Sequence, residues 1–318
     1  MTPAFRIEAD GADVTAAIAD RLLSLAIEDG EGMEADTLEI VVDDRDGRVE
    51  EPATGAALAV ALGYRGAPLT AMGRWTVNAV AGTGPLRQLT IRAEPADLAG
   101  PIRAPRTRAW EATTLGAIVE AIAARAGLRP FVAPALAGIA VRYEAQTAES
   151  DLHFLTRLAG RFDAIAKPAG GRLVLARRGD GEGPPLRVSR TEASDWRWER
   201  SVRSPYARVT ARYDDPDRGA EGRVEAGRGE PVRELRRVHA TRAEAEAAAR
   251  AELARSGRGE RRLDVSLARF RSDLFGGARV VLEDFGSSVD GPAEVASVGH
   301  RLDEAGLVTR LSAARVAP

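Results

Sequence analysis

Three histidines, His153, His239 and His300, are the side chains best placed to exchange protons or hold a metal near neutral pH. None lies in a His-x-x-x-His or Glu-x-x-His pattern, so none puts two ligands on one helix face. His153 falls on a predicted helix behind Ser150, and His239 and His300 end predicted strands, so all three read as polar tips of elements. Cysteine is absent, which excludes disulfides, thiol nucleophiles and thiolate metal sites. The one lysine, Lys167, follows no glycine-rich Walker pattern. Gly179-Asp180-Gly181-Glu182-Gly183 runs into prolines rather than a helix and reads as a linker. Ser287-Ser288 follows Gly286, but Val289-Asp290 breaks a Gly-x-Ser-x-Gly elbow. Carboxylate pairs such as Asp43-Asp44 and Asp214-Asp215 recur. Glycoside hydrolysis needs two carboxylates about 5–9 Å apart across a cleft, which such pairs do not establish. No catalytic, cofactor-binding or metal-binding residue is predicted.

Two charge patterns stand out. Between Glu28 and Glu51 the acids are Glu28, Asp29, Glu31, Glu34, Asp36, Glu39, Asp43, Asp44, Asp46, Glu50 and Glu51, against Arg45 and Arg48. A solvated face and turn is the ordinary reading. From Trp196 to Arg262 arginine exceeds acid, with Trp196, Trp198, Tyr206 and Tyr213 interleaved. That mixture could line a single-stranded nucleic-acid groove. The aromatics fall at strand spacing among scattered acids, so core packing with Arg–carboxylate pairing between subunits is the favoured expectation.

The chain has 318 residues, 44% hydrophobic and 29% charged, with a formal net charge of −2. This suits two or three globular domains and gives no overall electrostatic case for nucleic-acid binding. Met1 to Asp10 lacks the apolar core of a signal peptide, and no stretch nears 18 uncharged apolar residues. Synthesis and folding in the cytoplasm are expected.

Strand candidates in the first hundred residues are Phe5–Ile7, Leu22–Ile27, Leu38–Val42, Leu58–Tyr64, Arg74–Val77 and Leu89–Ala93, with a helical turn near Val14–Ala19 capped by Asp13. Gly100-Pro101 and Pro105 mark a boundary, and Gly179–Pro185 marks another. Beyond it come Leu186–Val188, Ala193–Val202, Arg208–Tyr213, Glu234–Val238, Arg262–Leu267, Ala278–Leu282, Ala293–His300 and Val308–Ala313. A helix, about 241–256, interrupts them between a Thr241 cap and Gly257. Pro216–Pro231 reads as a loop or hairpin tip. The predicted class is α+β, mostly β. Its units are a β domain over 1–104, a helix–strand connector over 105–180 and a second β domain over 181–318.

The connector carries the most order. Trp110 precedes Thr113-Thr114-Leu115-Gly116; Ile118 and Ile122 recur at helical spacing, and Gly127 supplies a left-handed stop. Gln146 and Glu149-Ser150-Asp151 follow, then Phe154, Leu155 and Leu158 on a second helix, and Leu173-Val174-Leu175 on a strand. These features resemble the phage late control protein D family, the baseplate hub of contractile tails, whose relatives include the hub part of VgrG. Leu62-Gly63-Tyr64 and Gly73-Arg74-Trp75-Thr76-Val77 match the family's tail-tube fold. Phe275-Gly276-Gly277-Ala278-Arg279-Val280, Val298-Gly299-His300-Arg301-Leu302 and Gly306-Leu307-Val308-Thr309 match its ending loosely.

The resemblance implies two tube-like β-barrel or sandwich domains per chain, so that a homotrimer matches the six-fold symmetry of a tail tube. It implies a structural ring, not an enzyme, joined to the tail tube protein, the spike protein, other baseplate proteins and the tape measure protein. The expected location is the host cytoplasm during assembly, then the tail baseplate, with DNA present only in passage. Asp43, Asp44 and Asp46 would line the channel and repel passing DNA. Two alternatives remain at this stage. A type VI-like hub would need a β-helical spike on the same chain, against which the end at Pro318 argues. A cell-wall or nucleic-acid hydrolase is the other.

Overall fold

The computed structural model describes residues 1–30, 36–98, 100–169, 171–177, 184–200, 206–215, 219–257 and 261–315. Parts of four expectations therefore lie outside the described residues: Glu31 and Glu34 of the acidic stretch, most of the Gly179–Pro185 linker, Ser201-Val202 at one strand end, and residues 216–218 at the start of the expected loop.

The first region holds β1 (Pro3–Ala9), β2 (Ala12–Asp13), the turn α1 (Thr15–Ile18), β3 (Leu22–Gly30), β4 (Thr37–Asp43), β5 (Ala57–Tyr64), β6 (Thr70–Thr83) and β7 (Gln88–Pro95). Period-2 alternation sets one face of these strands inward, burying Leu38, Ile40 and Val42 on β4 and Leu58, Val60 and Leu62 on β5. The connector follows as β8 (Pro105–Thr114), α2 (Leu115–Ala126), β9 (Arg129–Val132), α3 (Pro134–Ala137), β10 (Ala140–Ser150), α4 (Asp151–Gly160), β11 (Ala164–Ala169) and β12 (Arg172–Arg177). The last region comprises β13 (Leu186–Ser189), β14 (Ala193–Arg200), β15 (Arg208–Asp215), β16 (Ala220–Gly227), β17 (Val232–His239), α5 (Arg242–Gly257), β18 (Arg261–Leu267), β19 (Arg279–Glu283), β20 (Gly291–Asp303) and β21 (Gly306–Arg315).

The fold is α+β and mostly β, with no closed barrel among the described residues. Thirteen strands form one open sheet running β14-β18-β21-β20-β3-β4-β7-β6-β5-β1-β2, with β19 and β13 branching from β20. β20 makes the branch possible because its two halves face different neighbours. Gly291–Glu294 pairs with β19, Ser297–Asp303 pairs with β3, and an irregularity in its pairing with β21 lies between Val295 and Ser297. Such an interruption bends a strand and re-aims it. Leu302 and Leu307, from β20 and β21, consequently pack into the N-terminal core. A separate core of Leu263, Val265, Val280, Val295 and Leu311 fills the C-terminal part.

Two smaller sheets sit outside this frame among the described residues, β11-β12-β9 and β16-β15-β17, with the ribbon β8–β10 beside them. α5 seats on β15 and β16 through Ala245 and Ala249. Methyl-sized side chains let a helix backbone lie close to a sheet.

Several expectations need correction. The connector is richer than helix–strand–helix–strand, since β8, β9, β10 and β11 are strands and α3 is a further short helix. Trp110, which precedes the α2 cap in the sequence, lies on strand β8 and is buried. Within the expected loop 216–231, Ala220–Gly227 is a strand paired along its length with β15, which its glycines and alternating charges had concealed. His300 lies inside β20 rather than at its tip, and both His300 and His239 are buried. Trp196 and Trp198 are 37% and 41% exposed, so they are not core residues of the chain by itself.

Candidate assembly interface

The connector is organised by buried charge. Thr114 caps α2 by accepting from the Ala117 amide, and Gly127 ends that helix at φ +71°. Ser150 caps α4 by accepting from the His153 amide at 3.1 Å. Between these helices the Trp110 ring stacks on Phe154 with centroids 5.8 Å apart, and its Nε1 donates to Gln146 Oε1 at 3.3 Å. Gln146 Nε2 donates to the buried Asp151 carboxylate at 2.9 Å, and Arg125 reaches the same carboxylate at 3.0 Å. The acidic pair beside the Ser150 cap therefore belongs to a network, with Glu149 held by Arg157.

Glu144 on β10 is the centre of a second network and had no signal in the sequence. Its buried carboxylate accepts from Arg157 of α4 at 2.6 Å, from Arg161, the C-cap residue just after α4, at 2.5 Å and from Arg237 of β17 at 3.0 Å. Burial alone would raise its pKa; hydrogen bonds from Arg161 and Arg157, with the field of Arg237, instead hold it at about 2. Three elements are thereby tied to one carboxylate. His239, beside this node, is lowered to about 4 by burial and by Arg237 and Arg161, and no described group hydrogen-bonds its Nε2.

The remaining candidates separate. His300 Nδ1 lies 3.1 Å from Thr309 Oγ1, and burial lowers the ring to about 4. A histidine neutral at pH 7 with so low a pKa is a poor general base. Lys167 on β11 clamps the connector to the first region, donating to Asp29, to Asp36 at 2.9 Å and to the Gly30 carbonyl at 3.0 Å. Burial raises Asp36 to about 6, against the pull of Lys167 and with the push of Asp29. Among the described residues no group of three or more His, Asp or Glu side chains is arranged to hold a metal. No described helix is long and apolar enough to cross a membrane.

Asp43, Asp44 and Asp46 do come together, at the end of β4 and in the turn after it. Each has an arginine partner: Arg45 for Asp43, Arg87 for Asp44 at 3.3 Å, and Arg21 for Asp46 through two bonds of 2.7 and 2.6 Å. Hydrogen bonding by Arg45 and Arg21 lowers the Asp43 and Asp46 pKa values, so both stay ionised at neutral pH. The turn thus offers ion pairs rather than bare negative charge.

The described residues thus hold buried polar networks inside and, at β14 and β16, strands that end their sheets. The family model for the phage tail baseplate hub (GPD) matches residues 35–306. The chain belongs to the baseplate hub family. The probable baseplate hub protein of Escherichia phage P2 is 32% identical over 358 aligned positions, covering 98% of this chain and 92% of that relative. Among solved structures, the 43 kDa tail protein of prophage MuSo2 from Shewanella oneidensis superposes with a TM-score of 0.76 at 17% identity, covering 99% of this chain and 98% of that one. A component of the E. coli type VI secretion system superposes at 0.56 and 13% identity, over 93% of this chain and 74% of that one. The last two likenesses concern the fold. Membership of the hub family makes this a phage tail baseplate component.

Proposed function

We propose that three copies of this chain form a ring that joins the tail tube to the central spike. The observation that carries the reading is the pair of β cores, one N-terminal and one C-terminal, fastened side by side through β3 and β20. Two β units per chain give six quasi-equivalent positions from three copies, which adapts a six-fold tube to a three-fold spike. Residues 1–104 and 181–318 act as the two tube-like units, and 105–180 is the connector that sets their spacing.

The partners in this reading are the tail tube, spike, tape measure and other baseplate proteins, met first in the host cytoplasm and then in the finished tail. The role is structural, and no step of chemistry is assigned to the chain. Asp43, Asp44 and Asp46 face the central channel, where their paired carboxylates present a wall with little attraction for DNA. Likeness to the type VI component supports a second reading, the equivalent hub of an injection system. Electron microscopy of the purified chain with its spike protein tests the proposal. A three-fold ring with a central hole is expected; a chain that stays monomeric beside its spike refutes the ring.

A further inference from the structure

The two ends of the 13-stranded sheet differ in how they are protected. At one end β1 is covered by β2 and by the turn α1, where Val14 donates to the Ile7 carbonyl and Thr15 Oγ1 accepts from the Ile7 amide. At the other end no described strand pairs with the outer edge of β14, and seven of its eight residues are exposed. Uncovered edges of this kind pair with other chains unless something blunts them.

The side chains of β14 continue the sheet in two ways. Trp196 and Trp198 stand opposite Val265 and Leu263 of β18, both buried in the C-terminal core, so the core face runs past the last paired strand. Trp196 is anchored edge-on to the buried Phe285, with centroids 5.8 Å apart. The opposite face alternates Asp195, Arg197 and Glu199. That face is close to neutral and gives a phosphate backbone little to hold.

A second uncovered strand carries the matching pattern. β16 ends its own sheet and alternates Glu221, Arg223 and Glu225 on its exposed face, with Val224 and Ala226 facing α5. An antiparallel register that sets Arg197 opposite Glu225 also sets Glu199 opposite Arg223, Trp198 opposite Val224 and Trp196 opposite Ala226. Opposite charges then meet on one face and apolar groups on the other. Among the described residues, Arg223 and Glu225 make exposed pairs, at 3.7 Å to Glu234 and 3.3 Å to Arg208.

We infer that β14 of one copy pairs with β16 of the next, joining the main sheet of each chain to the α5-covered sheet of its neighbour. The contact is head-to-tail, so it closes a ring when the rotation per copy is a third of a turn. This inference rests on the trimer reading and names the strands that make the ring.

Mass measurement by light scattering on the full chain tests it, with circular dichroism to verify folding. Arg197→Glu alone and Glu225→Arg alone are expected to lose the trimer at concentrations where the unaltered chain is fully assembled. The double variant Arg197→Glu/Glu225→Arg is expected to recover it. An equimolar mixture of the two single variants is expected to give species of even copy number, because the only favourable contacts alternate the variants. Trp196→Ser/Trp198→Ser is expected to lose the trimer as well, and it decides the matter if a charge variant fails to fold. Single variants that keep the trimer, or a folded double variant that does not regain it, overturn the pairing while leaving the ring standing. An unaltered chain that never assembles with its spike removes the ring, and this pairing with it.

Discussion

Glu144→Gln is the sharpest test of how the connector is held. The amide keeps the shape of the carboxyl group but removes the charge that Arg157, Arg161 and Arg237 converge on. In the folded chain the carboxyl pKa falls from 4.5 to about 2. At about 1.4 kcal/mol per pKa unit, the depression corresponds to about 3 kcal/mol of stability at pH 7. Arg157 and Arg237 are partly exposed, with side chains 37% and 48% accessible, so solvent screening trims the expected loss to about 2 kcal/mol. Because the folded pKa is depressed, this stabilisation is complete above about pH 4.5 and is lost as pH falls toward 2. The assay is urea denaturation of both chains at pH 7 and pH 3.5, combined with hydrogen exchange of α4 and β17. Glu144→Gln is expected to be less stable at pH 7, with faster exchange in both elements, and the gap is expected to narrow by about 1 kcal/mol at pH 3.5. A gap under about 0.5 kcal/mol at pH 7, or one that is equal at the two pH values, would refute the argument that charge holds the node.

Gly227→Ala is expected to loosen the α5 unit, because Gly227 has φ +80° and an added Cβ would press on the Ala207 carbonyl oxygen. The loss is about 2 kcal/mol or more, read as faster amide exchange in β15 and β16 while β3 and β4 are unchanged. His239 and His300 are each lowered to about 4, so both imidazoles are neutral in the folded chain above about pH 5. Their unfolded value of 6.5 lies above the folded one. Stability from each is therefore complete above pH 6.5 and falls as pH drops from 6.5 to 4. Proton NMR should show two histidines titrating near 4, and a value near 6.5 for either would contradict its burial.

The strand pattern was legible because alternation is a local property. Leu38, Ile40 and Val42 announce β4 by their spacing, and nothing distant is needed to see it. The caps Thr114 and Ser150 were equally local. β16 escaped because its alternation is of charges and glycines, with Val224 the one buried residue. β8 and β10 escaped for a different reason: among the described residues they pair only with each other, and proximity of Trp110 to Gln146 and Phe154 is a tertiary fact. The Glu144 node is the extreme case, joining residues 144, 157, 161 and 237, each ordinary in its own neighbourhood. Tryptophans at strand spacing suggested a core at Trp196 and Trp198, since spacing reveals which face a residue takes but not whether that face is roofed.

β20 has a mechanical consequence. Its last seven residues, Ser297–Asp303, are laddered to Ser24–Gly30, while its first four are laddered to β19. A pull along the strand that tries to draw the two β halves apart loads these ladders in shear, so many hydrogen bonds resist together rather than opening one at a time. A strand spliced into both halves carries such a load directly from one β core to the other.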